Sequence, residues 1–190
     1  MYTGLLLSLS VAGILLLLLV DGGAARRNWN YEPISIDVRS ADASKVQVEA
    51  KIERIGRREY AYTGKMVVNY DMDDATMVEA TIYRSYSGNE DDYKLLPFDI
   101  PKQTFKSIVE SYYKDIIYKN LEHCSNLAKP ENAYPWPKGT YIFDKCTVTG
   151  DGLPEVLPEG YYKVNFEISG PVEAGLTVIA KLTTDYDLIG

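Results

Sequence analysis

The sequence is poor in the residues that enzymes use for catalysis. It has one histidine and two cysteines, and it contains no G-x-S-x-G, H-E-x-x-H, P-loop or dinucleotide-binding motif. His123 and Cys124 are neighbours, but adjacent residues of a helix point about 100° apart, which does not suit a nucleophile and its base. A structural role at a helix end is expected for His123. No catalytic residue is predicted, and an enzyme such as a lipid hydrolase is disfavoured.

Positive charge is also limited. The chain has 20 Lys and Arg against 27 Asp and Glu, for a net charge of -7. Because the basic residues neither dominate nor cluster, we expect no nucleic-acid partner. The acidic groups "DMDD" at 71–74 and "NEDD" at 89–92 lack the glycine and the terminal glutamate of a calcium loop. They are interpreted as solvated turns between strands, and no metal site or cofactor is predicted.

The one long apolar run lies at the start. It extends from Leu5 to Val20 and is followed by small residues up to Ala25, which is the layout of a secretory signal peptide over residues 1–25. The alternative is a membrane anchor, because no Lys or Arg precedes the run while Arg26 and Arg27 follow it. The run is shorter than the roughly 20 residues that cross a bilayer core. We therefore expect an extracellular protein with no stable membrane span.

Export changes how the two cysteines are interpreted. In an oxidising compartment Cys124 and Cys146 would form a disulfide, which by the chain-entropy model contributes about 3 kcal/mol. If the chain is not exported, two buried free thiols are the alternative. The sequence has no Asn-x-Ser/Thr acceptor, so no N-linked glycan is expected.

Alternation of polar and apolar residues is the dominant pattern of the rest of the chain. It is clear at 45–52, 59–70, 161–169 and 175–183, and it is mixed at 76–86 and 139–148. The short connections at 56–57, 71–75 and 170–173 suit hairpins and hence antiparallel pairing. Strands with one apolar face must bury it. The sequence predicts a mainly β (α+β) protein, an antiparallel β-cup or β-sandwich, as a single domain over residues 26–190.

One segment has a helical period. Between Pro101 and His123, apolar residues recur at spacings of three and four, which predicts one amphipathic helix packed across the sheet. Asp99 and Pro101 are its expected start signals. The apolar positions are Phe105, Ile108, Val109, Tyr112 and Ile116.

Two features point towards a binding surface. Tyrosine occurs 16 times against four phenylalanines, and its apolar ring with a polar tip suits ligand cavities and interfaces, although strands favour tyrosine in any case. "GLPEVLPEG" at 152–160 places Leu153 and Leu157 in a loop. Each leucine either tucks against the core or forms an apolar rim. For Leu157 we favour a contact with the core, and for Leu153 both interpretations stay open.

Several segments carry a resemblance to a known family. "HCSNL", "YPWPKGTYIFDKC" and "GLPEVLPEGYYKVNFEI" resemble the insect secreted chemosensory families CheA and CheB, and "IERIGRREYAYTG" and "DDYKLLPFDIPKQTF" fit the same group. The match covers roughly residues 30 to 185. Those families are distantly similar to the ganglioside-activator protein and the ML lipid-recognition proteins, whose fold is an antiparallel β-cup around an apolar pocket. The resemblance implies that Cys124 and Cys146 are bridged. The chain departs from it at Trp136, where many relatives have cysteine.

The resemblance implies a secreted, non-enzymatic protein that binds a lipid or another hydrophobic small molecule in taste or pheromone perception. A chemosensory receptor or ion channel is a further expected partner. The alternative is a solid β-sandwich whose acidic surface binds such a receptor or channel without any ligand. The residues expected to line or rim a ligand cavity are Tyr162, Val164, Phe166, Ile168, Leu153, Leu157, Phe105 and Tyr112.

Overall fold

The computed structural model describes residues 27–57 and 59–184. The predicted leader, residues 1–25, lies outside the described residues. The described part is mainly β, with antiparallel sheets and a helix of 17 residues packed against them, so the predicted fold class is confirmed. The strands are β1 (Trp29–Ser40), β2 (Val46–Gly56), β3 (Glu59–Val68), β4 (Met77–Ser85), β5 (Lys94–Leu95), β6 (Ile100–Thr104), β7 (Gly139–Cys146), β8 (Gly160–Ser169) and β9 (Ala174–Thr184).

The strands form two sheets. Six strands pair in the order β1-β9-β8-β4-β5, with β6 also on β4, and three pair in the order β2-β3-β7. All the pairs are antiparallel. The hairpins predicted at 56–57 and 170–173 are present as β2-β3 and β8-β9.

The connection at 71–75 does not form the predicted hairpin. It leads from β3 in the three-stranded sheet to β4 in the six-stranded sheet. On the way, buried Met72 pairs with Trp136, and each backbone N–H donates to the other's carbonyl, at 3.3 and 3.0 Å. The segment therefore connects strands of two different sheets, whereas a hairpin joins neighbouring strands of one sheet.

Helix α1 runs in three consecutive segments, Phe105–Ile108, Val109–Tyr118 and Lys119–Leu121. It begins later than predicted, because residues 100–104 are extended as β6. The start signal is Thr104, whose hydroxyl accepts the N–H of Ser107 at 3.3 Å, and not Asp99 or Pro101. Short 3-10 turns occur at Glu90–Asp92 and Pro130–Asn132.

A disulfide between Cys124 and Cys146, with Cα atoms 5.3 Å apart, joins the chain just after α1 to the end of β7. The predicted pairing is confirmed. Residues 124–126 also run along the free edge of β7. Cys124 accepts the N–H of Asp144, and the Asn126 side chain bonds both Ile142 N–H and Thr140 O. The backbone groups at 140, 142 and 144 on this edge are thus satisfied.

In the part of the chain that the structure describes, no helix has the length and apolar character needed to cross a membrane.

Candidate functional site

The inner face of the six-stranded sheet is apolar across several strands. On β8 it carries Tyr162, Val164, Phe166 and Ile168, which are four of the predicted cavity residues. Their partners on β9, in register, are Ala180, Val178, Leu176 and Ala174, and those on β4 are Arg84, Ile82, Ala80 and Val78. Because directly opposed residues share a face, the predicted apolar face extends onto both neighbouring strands, with Arg84 as its charged exception.

The three-stranded sheet turns its own apolar face towards this one. Phe166 and Ile168 of β8 pack in the same buried group as Val68 of β3 and Tyr141 of β7, together with α1. We call this group the helix cluster. A second group joins the sheets near the β1-β2 connection and contains Val46, Val172 and Ala174. The two sheets therefore pack face to face at these places.

A third group, the loop cluster, lies at the other end of β8. Its buried members are Trp29, Tyr162 and Leu182, and the half-buried side chains packed on them are Tyr31, Ile82, Leu96, Leu153, Leu157 and Ala180. Its described members come from the six-stranded sheet and from loops, with none from the three-stranded sheet. At this end the loops contribute the side chains that pack on the apolar face.

Between the clusters the inner face is less well covered. Ile36, Val178 and Val164 lie side by side on β1, β9 and β8, and we call them the middle row. All three are half-buried, and none belongs to any of the three buried clusters. A close-packed sandwich buries its central inward-facing residues. The middle row is therefore a stretch of apolar surface that the described chain leaves partly open.

The helix contributes a face different from the predicted one. Phe105 is buried in the helix cluster as expected, but Tyr112 is half-buried while the adjacent Tyr113 is buried. The segment Val109–Tyr118 has π-helical hydrogen bonding, which joins residues five apart. A π-helix has more residues per turn than an α-helix, so the buried face shifts towards later residues. The buried side chain is accordingly Tyr113, where an α-helix would place Tyr112.

Trp136 lies at the centre of the helix cluster. Its ring meets the edge of Tyr113 at 5.3 Å and of Phe105 at 6.0 Å between ring centroids. Tyr113 donates its hydroxyl proton to Ala128 O. The indole N–H of Trp136 is buried with no hydrogen-bond partner among the described residues.

The two leucines of the 152–160 segment both pack on the loop cluster, and both are half-buried. Val156, between them, is 71% exposed. The structure thus places Leu153 and Leu157 in equivalent positions, on the inner side of a loop that has Val156 on its outer side.

Hydrogen bonds hold this loop to two distant parts of the chain. Trp29 Nε1 donates to Pro154 O at 2.8 Å, and Asn28 N donates to Glu155 O at 2.9 Å. From α1, the buried Asn120 side chain donates to Asp151 O at 2.8 Å and accepts from Gly150 N at 2.8 Å. Gly150 and Gly152 have φ angles of 91° and 72°, which favour glycine. The loop is therefore a fixed cover and not a free connection.

Two tyrosines from opposite sheets lie near each other beside the loop cluster. Burial raises the pKa of Tyr31 on β1, although the N–H of Val148, which donates to its hydroxyl oxygen at 2.6 Å, opposes the shift. Burial also raises the pKa of Tyr62 on β3 strongly, and the charge of Tyr31 adds to the effect. Both phenols are held neutral in a partly dry environment.

Arg84 is the charged residue on the inner face that the sequence reasoning missed. Its guanidinium donates from Nε to Glu159 O at 2.9 Å and from Nη2 to the same oxygen. The sequence could have indicated this position, because residues two apart in a strand share a face and Ile82, two residues before Arg84, is apolar. The strand β1 was also missed, because a bulge between Pro33 and Ser35 interrupts its alternation.

The single histidine lies elsewhere. A shallow, open depression of about 360 Å³ beyond the end of α1 is lined by His123, Cys124, Ser125, Asn126, Ile142 and Asp144. Cys124 is in the disulfide, and the Ser125 hydroxyl donates to Leu121 O at 2.7 Å. Among the residues described, no three His, Cys, Asp or Glu side chains are grouped to hold a metal ion.

Part of the chain matches a known protein family. No curated protein matches the chain. Residues 78–164 match the model of a family described as "Protein of unknown function (DUF1091)". The matched region extends from β4 into β8 and includes α1, the disulfide, Arg84 and the loop that carries Leu153 and Leu157. It covers part of the candidate site, since Ile36 and Val178 of the middle row lie outside it.

Proposed function

We propose that the protein binds a lipid or another hydrophobic small molecule between its two sheets and performs no catalysis. The observation that carries the proposal is the middle row. Ile36, Val178 and Val164 face the second sheet, yet they are half-buried and lie outside the three buried clusters. An apolar ligand placed against them gains the burial that the chain itself does not supply, about 25 cal/mol for each Å² removed from water.

The surroundings of the middle row suit such a ligand. The helix cluster borders it on one side, and the loop cluster, with Leu153 and Leu157, borders it on the other. Ligand sites are typically apolar with a few polar groups that fix orientation, and the hydroxyls of Tyr31 and Tyr62 are candidates for that role. In this proposal the eight residues predicted from the sequence line or border one site.

The resemblance to secreted chemosensory families extends the proposal to location and role. A disulfide is compatible with export, because oxidising compartments are where such bonds form and persist. We propose that the protein acts outside the cell, as a carrier or presenter of a hydrophobic signal in taste or pheromone perception.

The test uses a neutral fluorescent probe, N-phenyl-1-naphthylamine, whose emission rises in an apolar site. Val164→Phe fills the space beside the middle row, and Ile179→Phe is its matched control on the opposite face, since Ile179 pairs with Lys163. Uptake that Val164→Phe abolishes and Ile179→Phe preserves, with both variants as stable as the parent, supports the proposal.

A solid sandwich gives a different result. The parent chain takes up no probe, and Val164→Phe lowers the free energy of unfolding by about 1–3 kcal/mol through overpacking. That outcome would contradict the ligand-binding proposal and would favour the alternative, an interaction module without a ligand.

A further inference from the structure

Two positive side chains face each other at the edge of the candidate site. Arg84 on β4 and Lys94 on β5 are directly opposed in the antiparallel register. Like charges in this arrangement repel, which destabilises a sheet. The chain as a whole carries a net charge of -7, so a cation pair here is not a consequence of a generally basic surface.

Neither member of this cation pair is neutralised by a described carboxylate. No ion pair within 4.0 Å joins Arg84 or Lys94 to an acidic group of residues 27–57 or 59–184. Arg84 donates to the neutral carbonyl oxygen of Glu159. The carboxylate of Glu159 instead accepts the N–H of Thr184 at 2.9 Å.

The position of Arg84 is fixed by a close approach of the backbone. A Cβ built on Gly160 would lie 3.1 Å from Arg84 Nε and 2.7 Å from Ser85 O, and the φ of Gly160 is 143°. A glycine there lets the guanidinium lie against the start of β8. Arg84 is therefore a half-buried cation held in place, while Lys94 is exposed.

Apolar surface begins directly beside the cation pair. Ile82, two residues before Arg84, and Leu96, two residues after Lys94, both pack in the loop cluster, and Leu96 N donates to Ile82 O at 2.8 Å. Ile82 in turn pairs with Val164 of the middle row. On the inner face of the six-stranded sheet, the cation pair is thus followed by the apolar residues Ile82 and Val164.

We propose that the ligand is an anionic amphiphile whose acidic headgroup binds between Arg84 and Lys94 while its hydrocarbon chain extends over Ile82 towards the middle row. This inference rests on the proposed function. A carboxylate or phosphate at the pair removes the repulsion and accepts charge-assisted hydrogen bonds from guanidinium and ammonium groups. Arg84 and Lys94 then select acidic ligands over neutral ones of the same chain length.

The test is displacement of N-phenyl-1-naphthylamine from the full chain at neutral pH. The competitors are dodecanoate, dodecyl phosphate and dodecanol, which share a chain length, and acetate, which is a headgroup alone. We expect dodecanoate or dodecyl phosphate to displace the probe at about tenfold lower concentration than dodecanol, and acetate to leave it bound. The stronger of the two acids indicates whether a fatty acid or a phospholipid-type headgroup is the source.

Substitutions test whether Arg84 and Lys94 cause the preference for acidic ligands. Arg84→Gln and Lys94→Gln should each weaken acid binding about tenfold and leave dodecanol unchanged. The Lys94 side chain makes no hydrogen bond to the described residues, so its variant does not disturb the loop end that Arg84 also holds. Lys102→Gln, at an exposed site on β6 near the other end of β4, is the matched control and should change neither.

The outcomes separate the two proposals. Equal displacement by acid and alcohol, displacement by acetate, or parallel losses for acid and alcohol in both pair variants overturns the anionic-amphiphile inference and leaves ligand binding intact. Failure of the parent chain to take up the neutral probe overturns both.

Discussion

Trp29 Nε1 donates a hydrogen bond to Pro154 O at 2.8 Å and so joins the first strand to a loop 125 residues later. The ring itself is 3% exposed and forms part of the loop cluster. One side chain therefore supplies both an apolar contact and a polar anchor for the loop that covers this end of the six-stranded sheet.

Trp29→Phe should loosen that loop with a modest effect on the whole domain. The variant keeps an aromatic ring but loses the hydrogen bond, at a cost of about 1 kcal/mol in the free energy of unfolding. We expect faster amide exchange in residues 150–158, measured by mass spectrometry, while β8 and β9 keep their protection. Tyr86→Phe, at an exposed position, is the control. Unchanged exchange in the loop would show that the bond does not hold it.

Aspartate substitutions distinguish the two interpretations of the loop leucines. Leu153→Asp and Leu157→Asp each remove a contact with the loop cluster, so we expect each to lower the free energy of unfolding by about 1–2 kcal/mol. Val156→Asp, at the exposed position between them, should change it little. Thermal unfolding of the three variants measures these differences in stability. Full stability with reduced uptake of the neutral probe in Leu153→Asp would assign Leu153 to the rim of the site.

The helix offers a test of its register. Tyr113→Ala should cost about 3–5 kcal/mol, as expected for a buried aromatic residue, and Tyr112→Ala substantially less, because Tyr112 is half-buried. Urea denaturation of both variants gives the comparison. A larger loss for Tyr112→Ala than for Tyr113→Ala would indicate an α-helical face with Tyr112 inward, contrary to the π-helical segment.

Removing the disulfide should weaken the fold without abolishing its sheets. The double variant Cys124→Ser, Cys146→Ser should lose about 3 kcal/mol by the chain-entropy model. The parent protein unfolded in the presence of a reductant should match it. A double variant as stable as the oxidised parent would contradict a stabilising role for the bond.

Alkaline pH should destabilise the protein through its buried tyrosines. Burial raises the pKa of Tyr31, Tyr62 and Tyr113 in the folded state. A raised folded pKa contributes stability that is fully present below the unfolded value, near 10, and is lost as the pH rises above it. We therefore expect the melting temperature to fall above about pH 10, and to fall less steeply in Tyr62→Phe. A parallel fall in that variant would exclude Tyr62 as a source of the effect.

The strands that the sequence defined most clearly were those with unbroken alternation. Residues 161–169 and 175–183 correspond to β8 and β9, because one apolar face is sufficient to define a half-buried strand. Strand β1 was not predicted from the sequence, because its bulge at Pro33 and Ser35 shifts the alternation by one residue. The buried face of α1 was misassigned for a related reason, since a hydrophobic pattern does not reveal π-helical bonding.

The candidate site was predicted only in part. Its apolar residues on β8 follow from alternation, but the position of Arg84 beside them depends on the register between β4 and β8, and its opposition to Lys94 depends on that between β4 and β5. Pairing between distant segments is a tertiary property. The partial burial of the middle row likewise depends on how the two sheets pack, which the alternation along a single strand does not reveal.

The short segment at 124–126 affects how β7 can associate with other protein molecules. An open strand edge is a template on which other chains assemble into aggregates. Here Cys124 and Asn126 occupy the hydrogen-bonding groups of β7 that another molecule would need, and the bond from Cys124 to Cys146 fastens that cover in place. We therefore expect reduction of this cysteine pair to expose the edge of β7 to pairing with other chains, in addition to weakening the fold.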